Sequence, residues 1–285
     1  MKYTLGFSPC PNDTFIFDAL VNGKIDMQGL DFEVVLEDVQ TLNNWALQGR
    51  LDFSKISYGV LPLVVQQYVL LNSGGALGQG VGPLLITNDN TLTEATIQDA
   101  VVAIPGKNTT AHLLFSLAFP EMHNKQFKVF HEIEDWLLQT PANEKRAGVI
   151  IHENRFTYAA RGLHKIIDLG EYWQQQTGSP IPLGGIVAKR NIDSATVAKV
   201  DGLIKKSLQH AYEHHYQQLA DYVKLHAQEM SPGVMRQHIN LYVNDYSAGL
   251  GNDGKKAVLT LMDVYARQHP GYQFTPQHIF LSAEG

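Results

Sequence analysis

Short apolar runs alternate with longer amphipathic stretches along the whole chain, and that alternation is what strand–helix units feeding a largely parallel sheet require. Residues 3–7 read as a strand and 14–21 as a helix, with Asn12 or Asp13 placed to cap its first turn and Asn22-Gly23 to end it. Residues 32–36 read as a strand, 39–47 as a helix stopped at Gly49, 53–57 as a third strand and 61–71 as the next helix. Then come five glycines within residues 72–82, and an extended apolar run at 83–87. The unit repeats: strand 101–104, a turn opening a helix to about 119, strand 127–130, helix 133–139 and a buried strand at 148–151. A breaker-rich loop at 177–182 precedes an extended run at 183–188; from Ser194 the pattern is mainly helical, through glycines at 249–254 to a last helix at 257–268.

A chain of 285 residues is long for one hydrophobic core and about right for two. Crossings at 83–87 and 183–188 then make the first lobe discontinuous, 1–85 with 186–285, and leave 86–185 as the second. The expected fold class is α/β, two lobes, each a mixed, mostly parallel sheet flanked by helices, with a hinged cleft. Ligands in open α/β sheets sit beyond the carboxyl ends of the strands. The loops at 8–13, 57–59, 105–110 and 152–155 are therefore expected to converge there.

Charge and cysteine content restrict the partners. With 22 Lys and Arg against 28 Asp and Glu, the formal charge of -6 is the wrong sign for a phosphate-backbone binder, so no nucleic acid is expected. The single cysteine, Cys10, cannot form an internal disulfide, a zinc ribbon or an iron–sulfur site. The N-terminal residues enter a strand without a basic segment and long apolar stretch, and the longest apolar runs fall far short of the roughly 20 residues that span a bilayer. A cytoplasmic chain without a membrane partner is the expectation; a homodimer is left open.

The segment Ser8-Pro9-Cys10-Pro11-Asn12-Asp13-Thr14-Phe15 carries two prolines that fix φ and withhold two amide donors. It reads as a rigid ligand wall made of Pro11, Asn12 and Asp13, followed by a helix terminus able to meet an anion. The plainer reading is a stiff connection with one polar residue capping. Cys10 as nucleophile is disfavoured, because no histidine neighbours it in sequence. Gly106-Lys107-Asn108-Thr109-Thr110 opens a helix after a strand, which suits a carboxylate or phosphate, or else is ordinary capping by Asn108 or Thr109. It is not a Walker loop, since Val101 and Asn108 stand where that motif needs glycine and a hydroxyl. Ser57-Tyr58, at a strand end, and Asn43-Asn44, within a helix, are weaker cases of the same kind.

Other motifs fail on spacing. Gly78-Gln79-Gly80-Val81-Gly82 leads into a strand and misplaces its third glycine for a dinucleotide site. His152-Glu153 would need a second histidine where Phe156 stands for zinc proteolysis. His210 and His214 share a helical face whose neighbours are solvated, so no metal is expected there. His152, at the end of a buried strand, is the best general-base candidate, because an imidazole titrates near neutrality at about 6.5. Arg155 reads as a substrate-carboxylate partner or, more plainly, as a partner within its own lobe, and Glu153 as a group that could tune the imidazole.

The Ser8–Phe15 segment, the Lys55-Ile56-Ser57 strand end, the Pro105–Thr110 turn and Ile151-His152-Glu153-Asn154-Arg155-Phe156-Thr157-Tyr158 together resemble the 1,4-dihydroxy-6-naphthoate synthase family of the futalosine route to menaquinone. The similarity runs essentially end to end; the first and last motifs are specific, the others shared with related two-lobed proteins. The resemblance implies a type II periplasmic-binding-protein fold used as a cytoplasmic enzyme. It also implies a carbon–carbon lyase acting on cyclic dehypoxanthinylfutalosine, a small anionic substrate, with no metal or organic cofactor. It casts His152 as the base and brings Ser57, Thr109 and Thr110 to the ligand, with Lys55 in the matching strand end. Chorismate dehydratase, the sister enzyme of that route, and a small-anion binding protein are the competing readings.

Overall fold

The computed structural model describes residues 2–141, 144–152, 154–227 and 231–282. The chain divides into two compact units, residues 1–78 with 182–285, and residues 79–181. Along the first unit run β1 (Lys2–Phe7), α1 (Pro11–Val21), β2 (Asp31–Leu36), α2 (Val39–Leu47), β3 (Phe53–Ser57), α3 (Leu61–Val64), β4 (Tyr68–Leu70) and β5 (Ala76–Gly78). The second unit holds β6 (Leu84–Thr87), β7 (Val101–Ile104), α4 (Thr110–Ala118), β8 (Lys125–Phe127), α5 (Ile133–Leu138), β9 (Arg146–Ile150), α6 (Asn154–Thr157), β10 (His164–Asp168) and α7 (Leu169–Thr177). The chain returns through β11 (Ile181–Lys189) to α8 (Ser194–His215), α9 (Asp221–His226), α10 (Pro232–Tyr242), α11 (Asp245–Ala248) and α12 (Gly251–Gln268).

In the first unit the sheet order is β2-β1-β3-β11-β4, with β5 also pairing β11. β1 lies parallel to β2 and β3, whereas β11 lies antiparallel to β3 and β4. Helix α1 is buried almost all round, so its face pattern is weak; Phe15, Ile16, Phe17 and Leu20 pack with Leu5 and Phe7 of β1 and with Val200, Leu203, Ile204 and Leu208 of α8. That apolar contact is stitched by one polar side chain. Ser207 Oγ donates to the Ile16 carbonyl (2.6 Å) and accepts from the Leu20 amide (3.0 Å).

The second unit has the order β10-β6-β9-β7-β8, with β7 parallel to β8 and β9, and β6 antiparallel to β9 and β10. Its core joins Leu84, Ile86, Ala103 and Ile150 of the sheet to Ile133 and Leu137 of α5. Gly82 and Gly170 touch backbone to backbone: a Cβ on Gly82 would lie 2.3 Å from the Gly170 Cα, so neither position admits a side chain without displacement.

Several expected elements differ. The helix expected over 61–71 is only α3; after Gln66 and Gln67, Tyr68–Leu70 leaves it to pair as β4 with β11, a competition that periodicity cannot decide in short apolar runs. The strand expected at 127–130 lies earlier, at Lys125–Phe127, and Phe130–Glu132 forms a 3₁₀ turn. Residues 84–87 pair on both sides within the second unit's sheet, and the units meet in sequence at 78/79 and 181/182.

Candidate functional site

In the first unit the loop after β1 turns at once into α1. Cys10 is the N-cap residue, Pro11 occupies the first helical position, and the Thr14 amide donates to the Cys10 carbonyl (3.0 Å). Asn12 and Asp13 therefore lie inside the first turn and do not cap it, which corrects the sequence expectation. Their side chains make a different structure. Asp13, 1% exposed, accepts from the Ser8 amide (3.2 Å) and Ser8 hydroxyl (2.7 Å) on Oδ2, and from Asn12 Nδ2 (2.8 Å) on Oδ1. The Lys55 ammonium lies 2.9 Å from the same Oδ1 and donates also to the Gly74 carbonyl (3.0 Å). Four donors converge on one buried carboxylate, which leaves it no role as a proton acceptor for a ligand and makes it the fastener of the loop.

The network extends further. The fully buried His238 of α10 lies with Nε2 3.1 Å from Asn12 Oδ1. At the end of β3 the Ser57 amide donates to Oδ1 of the fully buried Asn43 on α2 (2.9 Å), so Asn43, one of the weaker sequence candidates, sets the backbone at Ser57. Its neighbour Asn44 is exposed. A polar residue on the same helical face as Leu42 and Ala46 was the available signal. Tyr58, fully buried, carries a hydroxyl without a hydrogen-bond partner among the described residues, and burial pushes its ionisation well above the ordinary phenol range.

In the second unit the turn after β7 delivers Thr109 and Thr110, both buried, to the start of α4. Thr109 is the N-cap: its hydroxyl accepts from the His112 amide (3.1 Å) and donates to the Gly106 carbonyl (2.9 Å). The capping role read as the alternative is thus present, and the hydroxyl proton is already committed. What α4 offers an anion is its first-turn backbone, with no acidic residue there.

His152 follows β9, half-buried, with φ of +57°. Gln28 is the other non-glycine residue with positive φ among the described residues. This left-handed conformation costs a residue with a Cβ on the order of 1 kcal/mol or more, and such outliers cluster at functional positions. The ring stands edge-on to Phe130, centroids 5.1 Å apart and planes at 70°. The turn that follows is anchored inside its own unit. Arg155 pairs with Asp168 (2.8 Å) and donates to the Gly82 carbonyl, while Asp168 caps α7 through the Gly170 and Glu171 amides. Arg155 is a partner within its own unit, and Glu153 lies outside the described residues.

The remaining sequence candidates are plainer. His210 and His214 stack at 4.1 Å, with His214 Nδ1 on the His210 carbonyl (3.0 Å), and no cluster of three or more metal-ligating residues occurs among the described residues. Among the same residues no helix is long and apolar enough to cross a membrane.

Residues 3–267 match the family model described as menaquinone biosynthesis. The chain is 44% identical over 258 residues to a 1,4-dihydroxy-6-naphthoate synthase of Thermus thermophilus, covering 90% of this chain and 91% of that one. It is 40% identical to the protein of the same name from Streptomyces coelicolor, covering 90% of each. A crystal structure from Archaeoglobus fulgidus superposes with a TM-score of 0.85 at 28% identity, over 94% of this chain and 97% of that one. A Candida albicans protein described as having the generic periplasmic binding protein fold superposes at 0.65 with 11% identity, over 100% and 99%. This second likeness establishes the fold class expected from the sequence.

Proposed function

The chain belongs to the menaquinone-biosynthesis family, and from that premise we propose that it is a 1,4-dihydroxy-6-naphthoate synthase, a carbon–carbon lyase that converts cyclic dehypoxanthinylfutalosine to 1,4-dihydroxy-6-naphthoate. The observation that carries the reading to particular residues is the half-buried imidazole of His152, held at a strand end in left-handed backbone. His152 acts as the general base. It removes one proton from a hydroxyl of the sugar-derived part; that oxygen closes a carbonyl on the departing fragment as the adjacent ring C–C bond breaks, the bond's electrons pass into the forming bicycle, and the imidazolium gives the proton back as the product aromatises, which makes the sequence downhill.

Substrate binding divides by chemistry. The first-turn amides of α4, behind Thr109 and Thr110, take the anionic end, because a helix start with no acidic residue favours negative charge. Ser57 and the rigid wall of Pro11 and Asn12 meet the uncharged part. Asp13 and Lys55 neutralise one another and hold that wall in shape. A biosynthetic role on such an intermediate goes with a cytoplasmic address.

Purified protein incubated with the cyclic futalosine derivative is expected to generate naphthoate absorbance. Tight binding with an unchanged substrate spectrum would instead indicate a small-anion binding protein, and elimination from a chorismate-type substrate would indicate the sister dehydratase.

A further inference from the structure

We propose that His238 is a positioning residue for the loop of residues 8–13: from α10 it fixes the Asn12 carboxamide, and through it the Asp13–Lys55 pair that shapes the wall. The inference rests on the proposed function for its catalytic meaning. The carboxamide is oriented by its own contacts. Asn12 Nδ2 donates to Asp13 Oδ1 (2.8 Å), so Oδ1 is the atom that faces the ring, and Nε2 of His238 must carry the proton of that 3.1 Å hydrogen bond. In the neutral ring this contact fixes the Nε2–H tautomer. Asn12 and Asp13 sit in the first turn of α1, whereas His238 comes from the middle of a helix 226 positions downstream.

The surroundings show why a histidine stands there. Met235, Ile239 and Tyr242 share the buried face of α10 with His238, and they supply the apolar contact that docks the helix. The imidazole also packs on the Tyr242 ring, with centroids 4.7 Å apart and planes at 60°. Its donor is what the site uses: without it Asn12 Oδ1 becomes a buried acceptor stripped of this donor, and the carboxamide is released to turn away from Asp13. The relay runs His238–Asn12–Asp13–Lys55 and ends on the Gly74 carbonyl. His238 need not touch substrate to act.

Two isosteric contrasts and a built-in reporter test this. The glutamine amide nitrogen can occupy the place of Nε2, whereas methionine fills the volume without a donor. Cys10, the single cysteine, half-buried inside the same loop, reports loop order by its rate of reaction with a chromogenic disulfide reagent. In His238→Gln, labelling rate and KM are expected within about twofold of wild type. His238→Met is expected to label about tenfold faster and to raise KM about tenfold, with kcat within about threefold because His152 belongs to the other unit. If His238→Met does not accumulate folded, Asn12→Ala removes the acceptor from the opposite side and is read by its labelling rate alone, because Asn12 also belongs to the wall proposed to meet substrate. Equal loss in the glutamine and methionine variants, or a methionine variant that labels and turns over like wild type, overturns the proposal. So does faster labelling with unchanged kinetics. Failure of the wild type itself to consume the cyclic substrate refutes the functional reading separately, and the labelling arm still decides the loop.

Discussion

Replacing Asp13 by asparagine tests whether the loop before α1 is fastened by charge. The carboxylate and the Lys55 ammonium are 2.9 Å apart with side-chain exposures of 2% and 6%, so neither is solvated when its partner goes. Asp13→Asn removes the counter-charge of the ammonium and, whichever way the amide turns, presents its N–H to donors that need an acceptor, Ser8 on one side or Lys55 and Asn12 on the other. Breaking one side of such a buried pair costs about 3–5 kcal/mol. In a body of this size each kcal/mol shifts Tm by about 2–4 °C, so a fall of roughly 10 °C is expected in the transition of the first unit. Lys55→Met in the same background removes the stranded charge and is expected to restore at least half of the loss, so that the favourable coupling in the double-mutant cycle is at least about 2 kcal/mol plus whatever Lys55→Met costs alone. The exposed pair Lys2–Glu33, 3.5 Å apart, serves as control and is expected to move stability by less than about 0.5 kcal/mol. Calorimetry and urea unfolding monitored by circular dichroism read all four proteins. A loss below about 1 kcal/mol in Asp13→Asn, or a double variant no better than additive, would refute the reasoning.

Two further outcomes follow from the sites described. His152→Ala is expected to keep the fold and substrate affinity while lowering turnover by roughly 10²-fold to 10⁴-fold, and His152→Gly to be more stable than His152→Ala by about 1 kcal/mol, because glycine accepts a φ of +57° without strain. Near-normal turnover in the alanine variant removes His152 from the chemistry. Tyr58→Phe deletes a fully buried hydroxyl that lacks a partner among the described residues, so stability is expected to stay level or rise by about 1 kcal/mol; a loss above that, measured by urea unfolding, would show that the hydroxyl is satisfied.

Local pattern carried much of the fold. The bounds expected for α2 and β3 coincide with those observed, since Asp38 caps α2 through the Gln40 and Thr41 amides and the glycine at 49 adopts φ of +63° where the helix has ended. Where apolar runs are short, as on either side of Gln66 and Gln67 within 61–71, period gives no choice between helix and strand, and the pairing of Leu70 with Val187 decides it. The candidate loop was legible as a rigid segment because prolines announce themselves. Its fastening was not: Lys55, itself held by the Gly74 carbonyl, and His238 reach Asp13 and Asn12 from distant parts of the chain, and no local propensity encodes a long-range hydrogen bond. Nor does a histidine at a strand end disclose the sign of its φ; only the backbone of the turn reveals that His152 is left-handed.

The division of labour between the two helix starts has a consequence of its own. At α1, Pro9 and Pro11 supply no amide donors, the Ser8 amide goes to Asp13 and the Thr14 amide to the Cys10 carbonyl, and the Lys55 ammonium is neutralised at contact distance. Such a terminus has lost most of what attracts an anion. At α4 the cap is a neutral threonine, and no carboxylate in the first turn offsets the dipole of this nine-residue helix. Asn108→Asp, nearly isosteric and half-buried one residue before the cap, separates binding from folding at this point. The added carboxylate suits the helix dipole, so Tm is expected to hold or rise, the gain being about 0.3–1 kcal/mol. The same charge repels an anionic substrate, so KM is expected to increase at least fivefold at low ionic strength, by an amount that shrinks as salt screens the interaction over a Debye length of about 10 Å at 0.1 M. An unchanged KM at low salt would show that the anionic end of the substrate binds away from α4.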